Sequence, residues 1–450
     1  MIDVDFFNLF TTEYPLFLFW MFVSTFILYL NVKKEAIAGY FDPIHFTWTF
    51  TFGTAYGIVI GLFVLGHISN TLFLVVIVYA LLFVLFFKLF VKFKLKKIIS
   101  GFSLLLIPTK YGRKEFYCAL FILITLWILI VYVNGYGMFA EVNRFEHNRG
   151  FGIFIRLTDA LGPFVISYLS ILLYIHLKKN RLKMVTKQFI LMIFIITLII
   201  LGSVINGAKM ALLNFIYSIF VAIAIFDKRP KFSITQIAGI FITVLSFALL
   251  VLSTNLEKTN INTENTEQYF NFDSLLLDRL ALRVLANADK YYWSLPNNVI
   301  DEIETDSLII RLLSPIVGIT KLSTILKYDV SEYDVGRQIV LFHFPKQEAA
   351  GGATSHLDLF VYKYFNPYFG WVWVAFTSFT LAFIIKMAKA GKGNIYHASL
   401  VSVLWLRGLS ILIEPAVGMA YIIDVLIIFI GIRLLCFILP INQNYELSKN

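Results

Sequence analysis

Cysteine and charge are both scarce in this chain, and each shortage excludes a class of protein. The 450 residues include only two cysteines, Cys118 and Cys436, and both fall inside apolar runs. That placement argues against a disulfide framework. Charged residues make up 15% of the chain, hydrophobic residues make up 59%, and the mean hydropathy is +0.79. No soluble domain of this size tolerates that balance, so the composition predicts a polytopic membrane protein.

Nucleotide-binding and metal-binding motifs are missing as well. The sequence holds no Walker-type phosphate loop, no GxGxxG pattern and no His/Cys cluster with metal-ligand spacing. ATP hydrolysis by this chain alone and zinc-dependent chemistry are therefore disfavoured, and neither a cofactor nor a metal site is expected. The net charge of +10 does not indicate nucleic-acid binding, because the basic residues lie mostly in short loops between apolar runs.

Eleven apolar runs approach the roughly 20 residues that a helix needs to cross a membrane. They predict an all-α fold with spans at about 15–32, 45–66, 71–91, 116–136, 157–176, 188–205, 209–226, 233–253, 367–386, 395–412 and 417–437. A large, mainly helical loop precedes the last three spans. The predicted domains are an N-terminal bundle of about eight spans (1–253), a loop domain (254–366) and a C-terminal bundle (367–450).

The loop charges predict the orientation of these spans. If the N-terminus is outside, the predicted inside loops hold 21 basic residues and the short outside loops hold four. Because positive residues are retained on the cytoplasmic side, this arrangement is strongly favoured. It places the C-terminus on the cytoplasmic side and the long loop on the outer side of the membrane, in contact with membrane lipid.

The segment 88–108 has two interpretations. Lys88, Lys92 and Lys96 recur every four residues among apolar residues. This spacing is typical of an amphipathic helix on anionic lipid. The alternative is a long third span that ends in a basic loop.

Arg156 and Lys209 are the cationic candidates in the outside loops of the first bundle. Arg156 has Asp159 one turn later, so it either binds an anion or forms a structural i,i+3 pair. Lys209 follows the small-residue turn 202–208 and begins a helix, whose N-terminus also favours anions. This turn is either a phosphate seat or the end of a helix with a snorkelling lysine.

The long loop and the last spans supply the other candidates. The loop candidates for anion binding are Arg279, Arg283, Arg311 and Arg337. His356 is the predicted general base because imidazole titrates near neutrality, and Asp358 is its neighbour; the alternative is a solvated histidine. Arg407 and Asp424 lie at similar depths on the last two spans, which predicts an intramembrane pair. That pair is either structural or positions Arg407 as a pyrophosphate ligand.

The order of these features resembles a known family. An Asn-Gly loop ends in Arg156, a Gly-x-x-x-Asn-Gly-Ala-Lys turn opens a helix at 202–209, and the long loop ends in GGATSHLDLFVYKYFNPYFG (351–370). This layout resembles the Wzy-type O-antigen or capsular oligosaccharide repeat-unit polymerases. Such proteins commonly have Gly-x-Arg where this chain has Gly-Ala-Lys, and Tyr-x-Asn-Phe-Gly where it has residues 364–370. Lys209 keeps the charge of that arginine but loses its bidentate fork.

The resemblance implies a specific activity. Such enzymes join undecaprenyl-pyrophosphate-linked oligosaccharide repeat units at the outer face of the bacterial plasma (inner) membrane, without ATP or a nucleotide sugar. Its implied partners are that lipid-linked oligosaccharide and a chain-length regulator protein, and no nucleic acid. Outer-facing cations would then bind the diphosphate. Three alternatives remain at this point: an O-antigen ligase, a flippase or transporter of the lipid-linked oligosaccharide, and a non-catalytic membrane protein.

Overall fold

Helices form all of the regular structure in the described part of the chain. The computed structural model describes residues 5–108, 112–139, 147, 150–179, 185–207, 209–227, 275–347 and 352–438, and it contains no strand within them. The helices are α1 (Phe6–Thr12), α2 (Tyr14–Val32), a π-helix (His45–Phe52) that continues as α3 (Gly53–Val64), α4 (Asn70–Lys92), α5 (Lys96–Leu106), α6 (Arg113–Asn134), α7 (Gly152–Lys179), α8 (Thr186–Asn206), α9 (Lys209–Phe226), α10 (Leu275–Leu285), α11 (Asp289–Ser294), α12 (Val299–Glu302), α13 (Leu308–Val317), α14 (Ile319–Leu326), α15 (Val335–His343), α16 (Leu357–Ala390), α17 (Ile395–Ile413) and α18 (Pro415–Ile438).

Nine helices of the described chain are long and apolar enough to cross a membrane. They correspond to nine of the eleven predicted spans, which confirms the prediction of a polytopic helical protein. The predicted span 209–226 is a shorter apolar helix, Met210–Phe226. The predicted span 233–253 lies outside the described residues, so the count of eleven and the orientation stay predictions. The division into domains at 253 and 366 also stays a prediction.

The segment 88–108 contains two separate helices. α4 ends at Lys92, and α5 starts at Lys96 with Ile98, Leu104 and Leu105 exposed. The third span therefore does not continue through the segment. This division agrees with the amphipathic alternative, and the predicted contact of α5 with anionic lipid stays a prediction.

The chain forms two compact units. The first contains Met1–Phe90, Pro230–Thr380 and Leu409–Gly418. Its core includes a close α2–α3 pair, where glycines recur every four residues on α3. A Cβ added at Gly57 would lie 2.3 Å from the Met21 Cα atom, and one at Gly53 would lie 2.6 Å from the Thr25 Cα atom. Small residues at this spacing let two backbones approach closely in a membrane protein.

A kink in α16 lies at the predicted start of the ninth span. Asn366 has a φ of 62° and precedes Pro367, which supplies no backbone N–H and disfavours α-helical geometry in the preceding residue. The Tyr79 hydroxyl donates to the Pro367 carbonyl over 2.9 Å. The predicted start at residue 367 therefore coincides with the kink.

The second unit contains Val91–Arg229, Leu381–Gly408 and Met419–Asn450. Helix α7 of this unit is mostly buried and packs against α6, α8 and α9. Glycines 162 and 202 leave room for the Phe215 ring, since a Cβ at Gly202 would lie 2.8 Å from it. This packing places the first turns of α7 beside the end of α8, and both contribute to the site described next.

Candidate functional site

Four charged side chains from three helices meet in the second unit. Arg156 and Asp159 lie on α7, Arg407 lies on α17 and Asp424 lies on α18. The Arg156 Nε atom is 3.2 Å from the Asp424 Oδ2 atom, and the Arg407 Nη1 atom is 3.6 Å from the Asp159 Oδ2 atom. We call these four residues the charge cluster.

The pairing within the charge cluster corrects one prediction in part, because Arg407 acts electrostatically on Asp424 but has its ion pair with another carboxylate. Arg407 forms its ion pair with Asp159, whereas Asp424 was the predicted partner. The prediction compared the membrane depths of residues on α17 and α18 only, because one turn joins these two helices. A third helix, α7, supplies the carboxylate that forms the ion pair. The structure still brings Arg407 and Arg156 into one cluster, as a shared anion site requires.

Arg407 is buried and has unused hydrogen-bonding capacity. Its side chain is 9% exposed, and its guanidinium lies 3.6 Å from the centroid of the Tyr421 ring. Within the described chain, its Nε and Nη2 atoms are buried without a hydrogen-bond partner. Buried donors are normally satisfied, and charged ones bind phosphate oxygens strongly. The geometry around Arg407 therefore suits an anionic ligand.

The predicted phosphate turn contacts the charge cluster through its asparagine. The Asn206 side-chain amide donates to the Asp159 carboxylate. Gly207 follows with a φ of 66° and ends α8 in the left-handed conformation that glycine adopts readily. Lys209 begins α9, but its side chain lies outside the described part of the structure. Its predicted role as a phosphate ligand stays a prediction.

His356 and Asp358 meet in the first unit through a tyrosine. The Tyr291 hydroxyl is 3.1 Å from His356 Nδ1 and donates to both Asp358 carboxylate oxygens, over 2.7 and 2.8 Å. The Lys290 Nζ atom lies 3.1 Å from His356 Nε2. We call these four residues the buried network. The distances fit a chain of donors running from Lys290 through neutral His356 and Tyr291 to Asp358.

Burial determines the protonation states in and around the buried network. It lowers the pKa of His356 well below its usual value, and the neighbouring Lys290 charge lowers it further. Burial also lowers the pKa of Lys290, against the opposing effect of Asp289. Glu414 is buried as well, and its pKa is raised to about 8. His356 is therefore neutral at physiological pH and can accept a hydrogen bond from Lys290.

Solvent exclusion limits what the buried network can do in this conformation. His356 is 0% exposed and Asp358 is 2% exposed, so neither side chain reaches the surface. The backbone N–H of His356 donates to the Ile413 carbonyl over 2.8 Å, and that of Ser355 donates to Glu414 over 2.7 Å. These bonds fix the segment on the turn after α17. A glycan reaches His356 only if this part of the unit opens, and the predicted catalytic roles stay predictions.

Two of the predicted loop arginines already have carboxylate partners. Arg311 is buried, and its Nη2 atom lies 2.7 Å from Asp306 while its Nη1 atom lies 3.2 Å from Asp334. The Arg337 Nη2 atom lies 3.2 Å from Glu332. Both arginines therefore have a structural role in the first unit. Pyrophosphate binding by them, the predicted role, would require these partners to be displaced.

The other two loop arginines lie on α10. Arg283 is exposed, and Arg279 is half-buried at the edge of a groove of about 640 Å³. Aromatic, aliphatic, amide, imidazole and carboxylate side chains form the rest of this groove, which we call the aromatic groove. It is lined by Asp5, Phe6, Phe7, Arg279, Leu282, Ala286, Asp289, Tyr292, Trp293, Pro296, Asn297, Val299, His343 and Phe344.

Several of these contacts involve residues that sequence reasoning did not single out. Lys290 is an example, because it stands in no recognisable motif, whereas Asn206 lies in the 202–209 turn but was given no role there. Tyr421 also gave no specific signal, because a tyrosine near the outer end of a span is common. A weak signal existed for Glu414, the acidic residue in the predicted turn between the last two spans.

Comparison with known proteins identifies no relative. No family model matches the sequence, no curated protein matches it, and no solved structure matches the fold.

Proposed function

We propose that this chain is a polymerase of lipid-linked oligosaccharide repeat units, of the Wzy type that the sequence resembles. The donor is an oligosaccharide on undecaprenyl pyrophosphate. A hydroxyl of the acceptor glycan attacks the anomeric carbon, a new glycosidic C–O bond forms, and the bond from that carbon to the phosphate oxygen breaks. The acceptor proton passes to a base or to water, and undecaprenyl pyrophosphate leaves.

Arg407 is the observation that carries the proposal. It is a buried cation whose Nε and Nη2 atoms have no hydrogen-bond partner among the described residues. It is stacked on Tyr421, and a second guanidinium, Arg156, belongs to the same charge cluster. A leaving diphosphate develops charge during the reaction, and fixed cationic donors in a low-dielectric site stabilise that charge. Guanidinium groups are suited to this task because they present several donors in a plane.

The surroundings of the charge cluster support a lipid-linked donor. α7, α17 and α18 are all among the helices that can cross a membrane. A polyprenyl chain is apolar and would lie against such helices, while its diphosphate would remain at headgroup level. With the orientation that the loop charges favour, this level is the outer face, where the acceptor glycan would be met.

The test uses purified protein in lipid nanodiscs with the lipid-linked repeat unit extracted from the producing cells. Wild-type protein is expected to give a ladder of longer glycans on a gel. The charge-balanced variant D159N/R407Q, which removes one ion pair and leaves Arg156–Asp424, is expected to lower the initial rate by about 100-fold, because two charge-assisted hydrogen bonds are lost.

The matched control is Arg113→Gln, which removes an exposed arginine from the first turn of α6 in the same unit. It should leave the rate unchanged. Wild-type protein that makes no ladder would refute the polymerase, and a D159N/R407Q rate equal to that of wild type would refute the role of Arg407.

Gene deletion separates the polymerase from two of its alternatives, the ligase and the flippase. Loss of a polymerase leaves single repeat units on the final acceptor, whereas loss of a ligase leaves the acceptor bare. Loss of a flippase leaves the lipid-linked repeat unit on the cytoplasmic side of the membrane. Single-unit product in the deletion strain supports the proposal, and either other outcome contradicts it.

A further inference from the structure

We infer that the aromatic groove of the first unit is a carbohydrate-binding site, and that it holds the acceptor glycan. The inference of sugar binding rests on the groove alone. The role of the bound sugar as acceptor rests on the proposed function.

The aromatic contacts of Tyr292 and Trp293 differ: another ring is stacked face to face on Tyr292, whereas the rings next to Trp293 meet it edge-on or tilted. Tyr292 is stacked face to face on Phe6, with ring centroids 3.9 Å apart and an interplanar angle of 2°. That contact attaches α1 to α11 and occupies one face of the Tyr292 ring. Trp293 is half-buried and meets Tyr292 and Phe344 edge-on, at 5.5 Å and 79° and at 5.9 Å and 71°, and the His343 ring is tilted against it at 6.3 Å. None of these rings is stacked face to face on the indole. Trp293 therefore retains apolar surface for the C–H face of a sugar ring.

The polar groups of the groove match hydroxyl groups better than they match an anion or a lipid. Arg279 has a buried Nε atom with no hydrogen-bond partner in the described chain, so an apolar ligand would leave this donor unfilled. Asp5 and Asp289 line the same groove and would repel a phosphate. Asp5 already accepts from the first turn of α1, and Asp289 already pairs with Lys290. Sugar hydroxyls both donate and accept, so they can accept from the arginine and donate to the remaining lone pairs of these carboxylates.

The shape of the groove favours a chain of sugars. Its volume of about 640 Å³ lies within the range of ~300–1,000 Å³ that is usual for ligand sites. A second hollow of about 450 Å³ shares His343 and Phe344 with it and continues along Pro345–Gln347. The two hollows adjoin at these shared residues and together provide room for more than one residue of an oligosaccharide.

The test is binding of a lipid-free glycan to the full-length protein in nanodiscs, measured by saturation-transfer difference NMR. The probe is the oligosaccharide released by mild acid from the lipid-linked repeat unit of the producing cells. We expect saturation transfer to the sugar ring protons with wild-type protein. Trp293→Ala should weaken binding by about tenfold, as expected for loss of a central aromatic contact. Arg279→Gln should weaken it by about threefold or more.

Trp371→Ala is the matched control, because Trp371 is a 49% exposed tryptophan of the same unit that does not line the groove. It should bind the glycan as wild type does. Wild-type affinity in both Trp293→Ala and Arg279→Gln would overturn the inference, as would equal losses in Trp293→Ala and Trp371→Ala.

Activity measurements separate this inference from the proposed function. Protein that binds the glycan through Trp293 but forms no ladder retains the sugar site and refutes the polymerase. If Trp293→Ala forms ladders and its KM for the acceptor is unchanged, the polymerase proposal stands and the acceptor site is refuted.

Discussion

Replacing Arg311 by methionine tests whether a predicted pyrophosphate ligand is instead a structural residue. The side chain of Arg311 is 6% exposed and makes three kinds of contact. It forms a hydrogen-bonded ion pair with Asp306, an ion pair with Asp334, and a 3.0 Å hydrogen bond to the Val330 carbonyl. Methionine fills a similar volume without the charge. We therefore expect Arg311→Met to loosen the region around α13.

The size of the effect follows from the carboxylate that is left behind. Removing one partner of a buried ion pair typically costs about 3–5 kcal/mol. The Asp306 side chain is 3% exposed, and burial raises its pKa, so it can take up a proton when Arg311 is lost. Protonation limits the loss to about 3 kcal/mol, or roughly a 100-fold larger opening equilibrium. The loss should be smallest at acid pH and should grow as rising pH forces Asp306 to ionise.

Hydrogen exchange followed by mass spectrometry measures this opening directly. Peptides covering 308–343 should exchange roughly 100-fold faster in Arg311→Met, while the matched variant Arg283→Met, at an exposed arginine of α10, should exchange as wild type does. Arg311→Met with wild-type exchange protection and lost binding of undecaprenyl pyrophosphate would refute the reasoning. It would show that Arg311 serves the ligand and not the fold.

Three further substitutions test the packing and electrostatics of the first unit. In the wild-type protein, the melting temperature should fall as the pH rises from about 4.5 to 8, because folded Glu414 holds a proton that the unfolded chain releases. Glu414→Gln should abolish this fall, and parallel pH profiles of the two proteins would contradict the prediction. Gly336→Ala should destroy hydrogen-exchange protection in α15, because the added Cβ would lie 1.6 Å from the Ala353 carbonyl oxygen. The control Gly101→Ala should keep wild-type protection, because nothing lies within 4 Å of its added Cβ. Equal protection in the two variants would contradict the prediction. Tyr291→Phe should lower the free energy of unfolding by about 1–3 kcal/mol by leaving buried polar partners unsatisfied, and unchanged thermal melting would contradict that.

The membrane helices were predictable because the signal for a span is local. About 20 apolar residues in sequence specify a crossing helix whatever its neighbours are. The kink at Asn366 was predictable for the same reason, since Pro367 acts on the adjacent residue. All four residues of the charge cluster could be named from the sequence, but as two separate pairs. Arg407 was expected to pair within a membrane, but the choice of Asp159 depends on how three helices pack.

The buried network shows which contacts of the predicted catalytic residues could be predicted from the sequence and which could not. His356 and Asp358 are close in sequence, so their association was predictable. Tyr291 and Lys290 come more than sixty residues earlier, and no local pattern connects them to His356. Burial was not predictable either, because a polar loop between apolar runs reads as exposed. The structure instead encloses these side chains in a packed unit.

Binding of undecaprenyl pyrophosphate is the most direct test of the charge cluster as a diphosphate site. Native mass spectrometry of the protein in nanodiscs can compare this lipid with undecaprenol, which lacks both phosphates. Wild-type protein should bind the pyrophosphate at least tenfold more tightly than the alcohol, and D159N/R407Q should lose most of that preference. Equal binding of the two lipids by wild-type protein, or an unchanged preference in the variant, would contradict the proposed role of Arg407.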